Sequence, residues 1–264
     1  MTTLRVTTGQ QAEPFAVLTS TMIALFLILL IWAVFDPRLI DGIPVWLKPL
    51  KFSLSLVVHF ATLALIVRSL SPELRTWRSL TIAATILAAA GLGEMGYIIF
   101  QAAQAEHSHF NLSSSFHIIM YQMMGVGAVL LIAMPLLVAR VVHRDSAMSP
   151  GLRSGIVLGV VVSFALTLIV AGYMSNSTGH YVGTPSADAP SFPVLGWSGE
   201  VGDLRPAHFL SLHALQIFPL LGLWLDRRPG GNPVRVLRVL ACGYAVLTLA
   251  VFAQALLGLP LLRL

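Results

Sequence analysis

Seven apolar runs, each close to the length that crosses a bilayer, constrain this chain more than any motif within it. A hydrocarbon core needs about 20 predominantly apolar residues per helix. The runs Ala16–Phe35, Leu50–Leu70, Leu80–Gln101, Ser115–Val138, Ser154–Met174, Ala207–Leu225 and Val239–Leu259 meet that requirement. They occupy most of the 264 residues and leave no stretch for a soluble domain. Only 10% of the residues are charged and 56% are hydrophobic, against roughly 25% charged in soluble domains. The expected fold is all-α: a polytopic integral membrane bundle of seven transmembrane helices. It forms a single domain over residues 1–264, with a long loop at 175–206. The first run lacks a small-residue cleavage pattern and reads as a retained helix, not a signal peptide.

Orientation follows from Lys and Arg in alternate loops. One set holds Arg5; Arg68, Arg75 and Arg78; Arg140, Arg144 and Arg153; and Arg227, Arg228, Arg235 and Arg238, eleven of the 16 basic residues. The other holds Arg38, Lys48, Lys51, Arg205 and Arg263. The richer set is expected in the cytoplasm, which puts the N-terminus inside and the C-terminus outside. The net charge of +5 is thus a topology signal, and no nucleic-acid partner is expected. Cys242 is the single cysteine, which excludes a disulfide framework and Cys-based metal sites.

On this topology seven of the eight histidines fall in the outer half, with His143 inside. His59 of span 2, Glu94 of span 3 and His213 of span 6 each lie about seven to nine residues below an outer helix end, roughly 10 to 14 Å deep. His117 is shallower, near the start of span 4. Polar companions recur at helical spacing: Lys51, Ser55 and Thr62; Tyr97, Gln101 and Gln104; Tyr121 and Gln122; Gln216; and Gln254 in span 7. Ionisable groups at mid-depth cost at least about 2.5 kcal/mol each against lipid, so these stripes are expected to face one another or a wet cavity. Imidazoles and a carboxylate suit zinc, copper or iron. His59, His117 and His213 are the candidate ligands of a metal ion or haem. Glu94 and Tyr121 are the candidate catalytic groups, with Lys51, Gln216 and Arg205 for a substrate or lipid headgroup.

His208 and His213 are five apart, about 140° around a helix, so they do not face one metal. His213 is the core candidate, whereas His208 is placed at the helix start or toward the loop. His180, in the Gly- and Pro-rich outer loop, is a candidate lid ligand with His208. That loop, Ser175–Pro206, is expected to cap the helix ends, with Tyr181 and Trp197 at headgroup level. Asp203 and Pro206 suit a helix N-terminus. His107 and His109 read as exposed. Asn111-Leu-Ser and Asn176-Ser-Thr match glycosylation sequons.

Other patterns fail their context. Gly91, Gly93 and Gly96 spell G-x-G-x-x-G inside a membrane helix, where close packing around Glu94 replaces nucleotide binding. Gly155 and Gly159 form a packing face on span 5. Span 7 holds no lysine for a retinal Schiff base, the methionines of span 4 read as core filler, and no Ser-His-Asp order is evident.

The strings WLKPLKFSLS, QAAQAEHSHFN, GHYVG and GWSGEVGDLRPAHFLSLHALQIFPLLG resemble a family of uncharacterised bacterial multi-pass membrane proteins. The resemblance covers most of the chain and implies a bacterial inner-membrane location. Helix count with buried His and acid groups is also similar to the seven-helix zinc hydrolases, including alkaline ceramidases and the adiponectin-receptor group. This chain departs from them in lacking an HxxxH pair in its last helix.

Three functions follow as expectations. The first is metal- or haem-dependent redox or hydrolytic chemistry on a lipid or quinone. The second is a proton-coupled transporter or channel using the same residues. The third is a non-catalytic sensor or assembly factor. The bilayer is the expected partner, with a homo-oligomer as a possible assembly.

Overall fold

The computed structural model describes residues 13–177, 179–186, 188–229 and 231–264. Arg5, counted with the cytoplasmic set, and Thr178 of the second sequon lie outside them. The helices are α1 (Glu13–Phe35), α2 (Leu47–Ser69), α3 (Arg78–Ala103), α4 (Ser115–Ala133), α5 (Pro135–His143), α6 (Pro150–Ser175), α7 (Arg205–Asp226) and α8 (Pro233–Leu256). They make seven spans, because α4 and α5 run as one apolar stretch from Ser115 to His143. Pro135 has no amide to donate back to Leu131, which interrupts the ladder at Met134 while the backbone there stays helical. Helix ends fall within six residues of the apolar runs, the widest gap being the start of α8 at Pro233 against Val239. Large apolar side chains such as Val34, Phe35, Leu65 and Val246 remain uncovered by protein, as lipid-facing surface requires. The chain is a multi-pass membrane protein.

The chain groups into two compact units that divide between Met148 and Ser149. The first contains α1 to α5. Its core includes Phe15 and Met22 of α1, Phe60 and Leu63 of α2, Leu87 of α3 and Val142 of α5. Gly91 admits Phe60, because a Cβ there would lie 2.8 Å from the Phe60 ring. At one end of this unit a two-stranded hairpin pairs β1 (Leu39–Ile40) with β2 (Ile43–Pro44). Its turn residues Asp41 and Gly42 both have positive φ, the requirement of a tight I′-type connection. Arg38 donates to Ala103 O at 3.0 Å and so ties this hairpin to the end of α3. Asp36 accepts from Arg38 and from Trp46 Nε1, and these bonds hold its carboxyl below the usual carboxylate range.

The opposite end of the first unit is rich in arginine. Arg75 donates to Leu70 O and Arg68 O, and Arg144 stacks over Trp77. Asp145 is buried and accepts from the amides of Ser71 and Ala147. The loops at 36–46 and 104–114 thus share one end of this unit, and those at 70–77 and 144–148 share the other.

The second unit contains α6, α7 and α8. Glycines let α6 and α7 meet backbone to backbone: a Cβ at Gly159 would fall 2.8 Å from Ala214 O, while Gly155 abuts Phe218 O and Gly222 abuts Gly151 O. The first amides of α6 are capped by Asp226, which accepts from Gly151 N and Leu152 N at 2.8 Å and from Ser149 Oγ at 2.6 Å. At the other end β3 (Tyr181–Val182) pairs with β4 (Gly202–Asp203). The described residues between 179 and 204 bond to one another. Ser191 bridges Ser198, Phe192 N donates to Trp197 O, and Trp197 stacks on Phe209 of α7.

Candidate functional site

In the first unit the centre is Glu94. It sits on α3 with 4% exposure, and a Cβ on Gly127 of α4 would run into its carboxyl group. The glycine that makes room for Glu94 is thus Gly127. Gly93 and Gly96, its neighbours in α3, face open space. Lys48, at the start of α2, is the charged group whose field acts on Glu94. The Lys48 ammonium also lies 3.1 Å from His109 Nδ1. An ammonium has only protons to offer, so it donates, and His109 Nδ1 is the acceptor. His109 therefore is tucked in, not exposed as its loop position suggests. Burial and the Lys48 cation hold its imidazole down to about 3. Tyr121 of α4 stands edge-on to the His109 ring at 6.2 Å and also contacts Phe110. Tyr97 is buried in a cluster with Ile98 and Met124.

A second constellation lies at the entrance of α4. His117 Nε2 is 2.9 Å from Glu106 Oε2. Its Nδ1 is 2.8 Å from Ser114 Oγ and 3.1 Å from Ser113 Oγ. Ser114 is the N-cap of α4 and accepts from the His117 amide. Ser113 Oγ has another acceptor in Asn111 Oδ1, at 2.6 Å. Beside this group opens a depression of about 560 Å³, lined among others by Glu106, Asn111, Ser113, Ile40, Phe110 and Leu112. His107, on the same rim, pairs with Asp41 at 3.0 Å. Gln101 donates to His107 O and so holds the loop, not a polar stripe within the membrane.

His59 of α2 packs edge-on against Phe60, and its buried Nε2 has no hydrogen-bond partner among the described residues. Lys51 is half-buried. The hydroxyls of Ser55 and Thr62 turn back to their own helix, donating to Lys51 O and Val58 O. Two of the four groups on the expected polar face of α2 are therefore satisfied within the helix.

In the second unit, Arg205 donates to both oxygens of Asp203, to Gly196 O and to Tyr181 Oη. Asp203 is buried and also accepts from Ser198 N. Arg205 is thereby committed to the loop as its anchor. His180 stacks on Tyr181 and its carbonyl accepts from Leu204 N. His208 Nδ1 is buried and has no hydrogen-bond partner among the described residues. His213 packs on Phe209 with ring centroids 4.0 Å apart. Of the two histidines favoured in turn for loop and core, the one with a buried, unpartnered ring nitrogen is His208. Gln216 is half-buried on α7. Gln254 turns to the chain end, donating to Pro260 O at 2.6 Å.

Among the described residues no three His, Cys, Asp or Glu side chains gather as a ligand group. Both nitrogens of His117 are already engaged. Lys48, Glu106, Ser114 and Gly127 went unselected in the sequence. For Ser114 a signal was present: a serine three residues before a hydrogen-bonding side chain, the spacing of a capping box. Comparison with protein-family models, curated proteins and solved structures finds no match.

Proposed function

We propose that this is a proton-coupled transporter of the bacterial cytoplasmic membrane that exchanges a proton at Glu94. On this reading the arginine-rich ends face the cytoplasm, as the excess of basic residues favours, and the 104–114 loop faces the periplasm. The resemblance of the GHYVG and GWSGEVGDLRP blocks to bacterial multi-pass proteins supports that membrane. One observation carries the function: a carboxyl buried within a membrane span has Lys48 as its electrostatic partner, and Lys48 is hydrogen-bonded to His109 of the loop. An ionisable group at that depth is costly unless its charge is used. Lys48 offsets the charge of Glu94 when the proton leaves, and the loop connects the pair to water. A small or lipid-soluble substrate would exchange against that proton.

Infrared titration of the protein in lipid nanodiscs tests this without knowing the substrate. A carboxyl band that responds to pH and to deuterium exchange is expected in the wild type. It should be missing in Glu94→Gln and displaced along the pH axis in Lys48→Met. A titration unchanged by Glu94→Gln removes the proposal.

A further inference from the structure

We infer that Ser114, His117 and Glu106 form a nucleophile–base–acid relay that hydrolyses esters presented at the membrane surface. The assignment is independent of Glu94 and rests on hydrogen-bond direction. Glu106, ionised, can only accept, so the proton of the His117 ring sits on Nε2 and points to Glu106 Oε2 at 2.9 Å. That leaves the Nδ1 lone pair for a hydroxyl. Two hydroxyls approach it, Ser114 at 2.8 Å and Ser113 at 3.1 Å, but one lone pair takes one good donor. Ser113 has Asn111 Oδ1 at 2.6 Å to receive its proton. Ser114 is therefore the hydroxyl aimed at the base. A base within hydrogen-bond reach of a hydroxyl, oriented in turn by a carboxylate, is the arrangement that activates a serine, and such triads are recognised by geometry, not chain order.

The surroundings suit an ester with an apolar tail. The adjacent depression has Ile40, Phe110 and Leu112 as apolar wall beside Glu106 and Ser113. Ser114 stands at the N-terminus of α4, where the His117 amide is taken by Ser114 Oγ but the Ser115 and Phe116 amides lack carbonyl partners within the helix and are donors for a developing oxyanion. In the reaction, Ser114 Oγ attacks the ester carbonyl carbon and its proton passes to His117 Nδ1. Glu106 stabilises the imidazolium through Nε2. The bond from carbonyl carbon to alkoxy oxygen breaks, and His117 returns the proton to the departing alcohol. Water then gives a proton to His117 and its hydroxide to the acyl-serine. The bond from carbonyl carbon to Ser114 Oγ breaks, His117 Nδ1 returns its proton to Oγ, and the carboxylic acid leaves with the Ser114 hydroxyl restored.

The purely architectural alternative is a helix cap in which His117 fastens Ser114, and one experiment separates the two. The full chain in nanodiscs is treated with a fluorophosphonate bearing an alkyl tail, and the adduct is mapped by mass spectrometry. Phosphonylation of Ser114 is expected, slowed at least tenfold in Glu106→Gln and in His117→Phe. It should be absent in Ser114→Asn, a substitution that keeps the N-cap and hence the fold, as thermal unfolding will verify. Ser113→Ala should label as the wild type does. Failure of folded wild-type protein to label at Ser114, or labelling that His117→Phe leaves at the same rate, overturns the assignment.

Discussion

Gly127 leaves the Glu94 carboxyl its space, and the side chain it would crowd ends in a flexible carboxylate, not in backbone. Gly127→Ala should therefore cost little stability, less than about 1 kcal/mol for a side chain that can swing aside, yet displace the acid. The measurable result is a shifted carboxyl infrared band at an unchanged unfolding temperature. His109 makes a separate prediction, because its imidazole stays neutral down to about 3 in the folded protein, whereas an unfolded imidazole takes its proton near 6.5. Between those values the unfolded chain binds more protons, so stability is complete above about pH 6.5 and declines as the pH falls toward about 3. Thermal unfolding in detergent should show this fall, and His109→Gln should flatten it. The sequence picks out Glu94 readily, since a lone acid in an apolar run is conspicuous. It misses Lys48 and Gly127, because their roles depend on how α2 and α4 turn toward α3. It misses Glu106 because that residue reaches His117 through an irregular loop that has no periodicity to read, and Ser114 because its spacing of three to His117 reads first as a helix cap.

Among the elements, α6 and α7 carry the most demanding fit. Their approach at Gly151, Gly155, Gly159 and Gly222 brings carbonyl oxygens where a side chain would stand, and backbone cannot step aside as a carboxylate can. Gly222→Ala should destabilise the second unit by about 1–3 kcal/mol, the usual cost of overpacking, seen as a lower unfolding temperature in detergent. Asp226→Ala removes the acceptor for the Gly151 and Leu152 amides and should cost about 1 kcal/mol, as cap losses do. The paired glycines at 155 and 159 announce a packing face in the sequence. Gly222 and Asp226 do not, since nothing local says that a residue ending one helix will cap another. The spans themselves are legible because each is a long apolar run. The inward polar stripe of α2 is not, because Ser55 and Thr62 satisfy their hydroxyls on their own helix.

For the molecule as a whole, the proposed orientation is testable in a bacterial host. An alkaline phosphatase fused after Leu264 should be active, and one fused at Arg144 inactive; the reverse pattern would invert the topology. The span from Ser115 to His143 has 29 residues, or ~43 Å of helix at 1.5 Å per residue, against a hydrocarbon layer of about 30 Å. His117 and Arg140 bracket ~34 Å of it by the same rise, so when each reaches an opposite interface the intervening apolar turns nearly match the layer. This helix is a gauge of bilayer thickness. Phospholipids with longer acyl chains would draw Ser114 down among the glycerol linkages, whereas in shorter ones the helix would either lean to keep Ser114 at that level or leave it standing in water.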